Sequence, residues 1–103
     1  MKVVEITKKG DPSVLKIKEV ADTPLKPNQL KVQVKASGIN FADILARQGL
    51  YQDAPPLPCV VGYEVSGVVI EVGSELSPSW QGKEVICITR FNGYSDTVYV
   101  TPM

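Results

Sequence analysis

The stretch Leu30-Lys31-Val32-Gln33-Val34-Lys35-Ala36-Ser37-Gly38 decides how the rest of the chain is read. Leu30, Val32, Val34 and Ala36 fall on one side and Lys31, Gln33 and Lys35 on the other, the two-residue period of a strand with one buried face. Ser37-Gly38 ends it. Beyond that turn, Phe41, Ile44 and Leu45 recur at helical spacing, and Gly49 stands where a helix would stop. About two turns fit between Asn40 and Gly49. Residues 53–58 carry three prolines and read as loop. Gly62 to Val72 is strand-like, and its Val68-Val69-Ile70 is apolar on both faces, which predicts a central strand. Gly73-Ser74 turns the chain, and Val85 to Ile88 reads as a second strand apolar on both faces. Asn92-Gly93 is a hairpin signal, with Tyr94 to Val100 as the returning strand.

In the other direction, residues 23–28 form a loop with two prolines. Leu15-Lys16-Ile17-Lys18 alternates like a half-buried strand, Lys9-Gly10-Asp11-Pro12 is a turn, and Val3 to Ile6 is a short strand. Some six short strands and one short helix, joined by turns rich in Gly and Pro, predict a mainly β fold: a partly open antiparallel barrel. Strands do not alternate with long helices, so no dinucleotide-binding sheet is expected in these residues.

The chain has 103 residues, and 1–103 fit one domain. An apolar fraction of 44% suffices for a core, and eleven basic residues balance eleven acidic ones. That balance argues against nucleic acid or an anionic membrane as partner. Histidine is absent altogether, which removes the commonest general base and the commonest metal ligand together. Cys59 and Cys87 lie in apolar surroundings without CxxC spacing; they read as reduced core residues and point to the cytoplasm. The first residues read as a strand rather than a signal peptide, and no apolar run approaches the ~20 residues of a transmembrane segment.

Neither the dinucleotide fingerprint GxGxxG nor the phosphate loop GxxxxGK[ST] occurs. Two other stretches carry chemistry. In Ser37-Gly38-Ile39-Asn40-Phe41-Ala42-Asp43, Asn40 can cap the helix with Asp43 closing a capping-box pair, or it can present an amide at a strand end to a carbonyl or a nicotinamide. In Gly62-Tyr63-Glu64-Val65-Ser66-Gly67, a carboxylate stands among apolar strand residues. Glu64 is then either functional, or an edge residue, or paired with Arg47 or a lysine.

Together these stretches resemble the medium-chain dehydrogenase/reductase superfamily. Its zinc-dependent alcohol dehydrogenases carry G-[VI]-C-x-x-D and then G-H-E; here the segments are Gly38-Ile39-Asn40-Phe41-Ala42-Asp43 and Gly62-Tyr63-Glu64. Asn40 and Tyr63 thus stand at two zinc-ligand positions, and an amide and a phenol do not replace a thiolate and an imidazole. The four-cysteine zinc lobe is missing too. Asn40 to Asp43, Arg47-Gln48-Gly49-Leu50-Tyr51 and Pro56-Leu57-Pro58 are similar to the zinc-free quinone oxidoreductases, and Phe41 to Tyr51 to their synaptic-vesicle membrane protein-like subgroup. Gly82-Lys83-Glu84-Val85 and Gly93-Tyr94-Ser95-Asp96 fit the same pattern over essentially the whole chain.

The resemblance implies a GroES-like catalytic domain that meets a Rossmann domain absent from these residues. It implies hydride transfer from NADPH or NADH, bound mainly by that other domain, to a small-molecule quinone or enone, without zinc. By motif, Asn40 would be catalytic and lie near the nicotinamide. Tyr51 would be catalytic and line the substrate side, Tyr63 and Glu64 would shape the pocket, and Asp43 would support the Asn40 loop. Some relatives place a tyrosine where this chain has Leu45, so acceptor choice can differ. The complete protein would be cytoplasmic and could form a homodimer, and these residues alone would not turn over. An enoyl or alkenal reductase of the same superfamily is one alternative; a non-catalytic binding or scaffold module with a GroES-like barrel is the other.

Overall fold

In the computed structural model, which describes residues 1–102, six strands and one α-helix succeed one another. They are β1 (Lys2–Ile6), β2 (Leu15–Glu19), β3 (Leu30–Ser37), α1 (Phe41–Gln48), β4 (Glu64–Val72), β5 (Glu84–Ile88) and β6 (Thr97–Val100). β1 and β2 form an antiparallel hairpin, and the other four form an antiparallel sheet in the order β5-β4-β3-β6. The sheets do not close on one another, so the architecture is mainly β and partly open, as the strand pattern predicts.

The alternation in β3 is realised. Leu30 and Val32 are buried, and they join Val65, Val69, Cys87 and Val98 in one core cluster. The register shifts between Val34 and Ala36, and the last residues of β3 are exposed, so the strand rises out of the core as it approaches Asn40. A second cluster of Ile6, Val14, Ala46, Cys59 and Val61 lies under α1. Backbone bonds between Ile6 and Cys59 link the β1–β2 hairpin to this cluster. Both cysteines are buried free thiols, and burial pushes each of them up from its ordinary value.

Four expectations about the strands need correction. Asn92-Gly93 makes no hairpin: β6 pairs with β3 at the far edge from β5, and the chain between them crosses the structure. Asn92 does take a left-handed φ of 70°, but its N–H goes to the Val60 carbonyl and that of Gly93 to the Gly62 carbonyl. Regular strand therefore begins only at Thr97. β5 is an edge strand rather than one covered on both faces, and Ile86 and Ile88 are 85% and 77% exposed. β4 is internal as predicted, but its sheet is covered on one face only and Ile70 is exposed. Likewise β2 turns Ile17 out to 77% exposure, because the hairpin packs through β1. Periodicity reports which residues share a face; it does not report whether anything lies against that face.

Candidate functional site

Helix α1 opens with a capping box between Asn40 and Asp43. Asn40 is in extended conformation, φ −113° and ψ 154°, and its N–H donates to Asp43 Oδ2 at 2.9 Å. The same oxygen accepts the Tyr94 hydroxyl at 2.7 Å. Asp43 is only 4% exposed. A carboxylate so buried is costly unless donors converge on it, and here two do. Asp43 Oδ1 and Asn40 Nδ2 are buried as well and have no hydrogen-bond partner. The Tyr94 hydroxyl holds its proton well above the ordinary phenol range, first through burial and then through its bond to the Asp43 carboxylate. Gly49, left-handed at φ 77°, ends the helix.

Tyr51 follows α1 in the loop, and Tyr63 precedes β4. Their hydroxyls meet: Tyr63 donates to Tyr51 at 2.7 Å, with the rings edge to face at 6.5 Å. Phe91 backs Tyr63 at 5.7 Å between centroids. Tyr63 is pushed up to about 12, chiefly because its hydroxyl donates a hydrogen bond to Tyr51, then by desolvation, with the Asp43 charge adding to the effect. The Tyr51 oxygen is the acceptor in this pair, which leaves its own proton free for another oxygen.

Residues 91–95 fasten these parts together. Ser37 Oγ donates to the Gly93 carbonyl at 2.7 Å, and the Gly93 N–H to the Gly62 carbonyl at 3.1 Å. The two glycines lie face to face, so that a Cβ on Gly93 would stand 2.7 Å from the Gly62 oxygen. Gly62 also holds a φ of 118°, a conformation that L side chains rarely adopt.

Glu64 lies at the surface end of β4, opposite Ile88. Its stem rests over Gly38, where a Cβ would come within 2.7 Å of Glu64 Cγ. It makes no ion pair among the described residues; Arg47 instead donates to the Gly10 carbonyl at 2.7 Å. Glu64 is exposed at the start of the internal strand β4, and the pairing with Arg47 is not formed. Asn40 and Asp43 are thus brought together, as are Tyr51 and Tyr63, while the Glu64 carboxylate is hydrogen-bonded to neither pair. An apolar groove of about 570 Å³, with Val3, Ile17, Ile39 and Val61 in its walls, reaches Asp43 and Tyr94 but not Asn40, Tyr51 or Tyr63.

Among the described residues, no three His, Cys, Asp or Glu side chains gather as a metal site would require. No helix there is long and apolar enough to cross a membrane.

The sequence profile of the alcohol dehydrogenase GroES-like domain matches residues 26–100. The chain belongs to this family. Among relatives of this GroES-like chain, quinone oxidoreductase-like protein 2 of Mus musculus is 44% identical over 82 residues, covering 80% of this chain and 23% of its own. The synaptic vesicle membrane protein VAT-1 homolog of Homo sapiens is 45% identical over 74 residues, 72% of this chain and 19% of its own. The human VAT-1 homolog-like protein superposes with a TM-score of 0.89 at 30% identity, over 98% of this chain and 32% of that one. Escherichia coli quinone oxidoreductase, solved with NADPH, gives 0.85 at 34% identity, over 98% and 31%. The chain therefore spans about a quarter of the length of such curated relatives. Two of these relatives, from Mus musculus and Escherichia coli, are named for quinone oxidoreductase.

Sequence reading missed Tyr94 as a member of the site and Phe91 as the backing of Tyr63. One signal was present: Gly62-Tyr63 and Gly93-Tyr94 repeat the same dipeptide, and the two copies pack against each other.

Proposed function

We propose that residues 1–103 are the substrate-side domain of an NAD(P)H-dependent oxidoreductase that reduces quinones or α,β-unsaturated carbonyls without zinc. The observation that carries this reading is the Tyr63 to Tyr51 hydroxyl bond at 2.7 Å, which leaves the Tyr51 proton free to be given away. It stands where the zinc-dependent relatives hold a metal ligand, and the phenol and amide at positions 63 and 40 are poor zinc donors. Metal-free polarisation of the acceptor then falls to hydrogen-bond donors.

A reduced nicotinamide, when bound, supplies the hydride. Asn40 suits the ring's carboxamide or the acceptor's carbonyl, because its buried Nδ2 has a proton to donate and no partner within the chain. Tyr51 donates its hydroxyl to the acceptor oxygen, stabilising charge there as electrons arrive, and gives up a proton to complete the reduction. Tyr63, whose proton already points at Tyr51, restores it and is itself reprotonated from solvent. Asp43 keeps the Asn40 loop in place. By motif, Tyr63 and Glu64 would shape the substrate pocket. This chain has no phosphate cradle of its own, so the nucleotide would be held mainly by a Rossmann domain elsewhere in the polypeptide. The complete protein would act in the cytoplasm and could pair as a homodimer.

The test is NADPH-dependent reduction of a p-quinone and of an enone by the polypeptide extended through its nucleotide-binding domain. Asn40→Ala and Tyr51→Phe each lower turnover about 10- to 100-fold, the range for loss of one donor to developing charge. Wild-type rates in both variants refute the assignment. The 103-residue chain alone shows no turnover, and elemental analysis of the active polypeptide finds no stoichiometric zinc.

A further inference from the structure

The main chain at Asn40 is held through residue 43: its carbonyl accepts the Asp43 N–H at 3.0 Å. Its neighbours Ile39 and Phe41 are 78% and 72% exposed, so neither anchors the turn by packing. The Asn40 N–H in turn donates to Asp43 Oδ2, and what fixes that oxygen from outside the helix is the Tyr94 hydroxyl, 51 positions along the chain. Tyr94 is itself rigid. Its N–H goes to the Val61 carbonyl at 2.9 Å, its carbonyl accepts from Val4 at 2.8 Å, and its ring lies against Gly62.

We propose that Tyr94 is a positioning residue for Asn40, acting through the shared oxygen of Asp43 so that the unpartnered Asn40 amide is presented to a ligand in one orientation. This rests on the reading of Asn40 as a site residue. Tyr94 touches no reacting atom. Its hydroxyl converts a mobile strand-to-helix turn into a fixed one, and about one charge-assisted hydrogen bond separates the two conditions.

Two measurements test it. In the complete polypeptide, Tyr94→Phe lowers kcat about tenfold when Asn40 is present and less than twofold in an Asn40→Ala background, since a device that works through Asn40 has nothing left to position. An equal fold-loss in both backgrounds overturns the proposal. In amide NMR spectra of the chain, Tyr94→Phe moves the main-chain and side-chain signals of Asn40 and leaves those of Leu30 and Val69, in the other core, in place. Unmoved Asn40 signals overturn it whatever the activity does. Where Asn40→Ala costs no activity but Tyr94→Phe still moves the Asn40 signals, it is the site assignment that fails and the positioning that stands. Asp43→Asn, which keeps the shape of residue 43 and removes its charge, serves the same spectral readout if Tyr94→Phe does not fold.

Discussion

The Tyr63 hydroxyl donates a hydrogen bond to the Tyr51 oxygen, and this 2.7 Å bond ties the loop after α1 to the entry of β4. Tyr63 is consequently pushed up from 10.0 to about 12. Tyr51→Phe removes the principal cause and returns Tyr63 towards the ordinary phenol range, to be read by ultraviolet or NMR titration of the tyrosines. A Tyr63 that titrates unchanged in Tyr51→Phe contradicts the donor assignment.

The same shift sets an alkaline limit. A group whose folded value is raised stabilises the fold fully below its unfolded value and loses that contribution as pH climbs through the folded one. Tyr63 places this window between about 10 and about 12, and Tyr94, Cys59 and Cys87 are shifted in the same direction. Urea midpoints are expected to fall through this range, and less steeply in Tyr63→Phe. A midpoint flat to pH 12 would contradict it.

Gly62 and Gly93 form the tightest backbone crossing near the site. Gly93→Ala drives a methyl to within 2.7 Å of a carbonyl oxygen that cannot retreat, so it is expected to cost about 3 kcal/mol or more by chemical denaturation. Gly49→Ala meets only the flexible Lys9 side chain at 3.1 Å and a left-handed φ, and should cost about 1 kcal/mol. Similar costs at the two positions would mean that the crossing is looser than described.

Asp43→Ala removes an N-terminal capping partner and leaves the half-buried Tyr94 hydroxyl without its acceptor. Roughly 1 kcal/mol for the cap adds to 1–3 kcal/mol for the unpaired group. Denaturation midpoints should place this variant well below Asp11→Ala, whose carboxylate caps an exposed turn.

Ile86 and Ile88 project together from the outer face of β5, and Ile17 and Ile39 border the apolar groove. Apolar surface of this kind favours self-association. Sedimentation velocity should show concentration-dependent association of the 103-residue chain, reduced in Ile86→Lys with stability retained. A monodisperse monomer at millimolar concentration would rule this out.

Much of this protein is written locally. The alternation of Leu30 to Val34 sets a strand and its buried face, Gly49 stops the helix, and Asn40 with Asp43 opens it, because each depends on residues within a few positions of one another. The motifs around Asn40 and Tyr63 likewise carried the family without any coordinates. What local pattern could not supply was which surfaces meet. Val85 to Ile88 is as apolar as a central strand, yet it lies at an edge, and Asn92-Gly93 has the composition of a hairpin turn, yet it docks on Gly62. Tyr94 finds Asp43 across 51 positions, and Tyr63 finds Tyr51 across twelve. Such pairings depend on where the whole chain carries each group, and a hydrogen bond forms only when both arrive within about 3 Å.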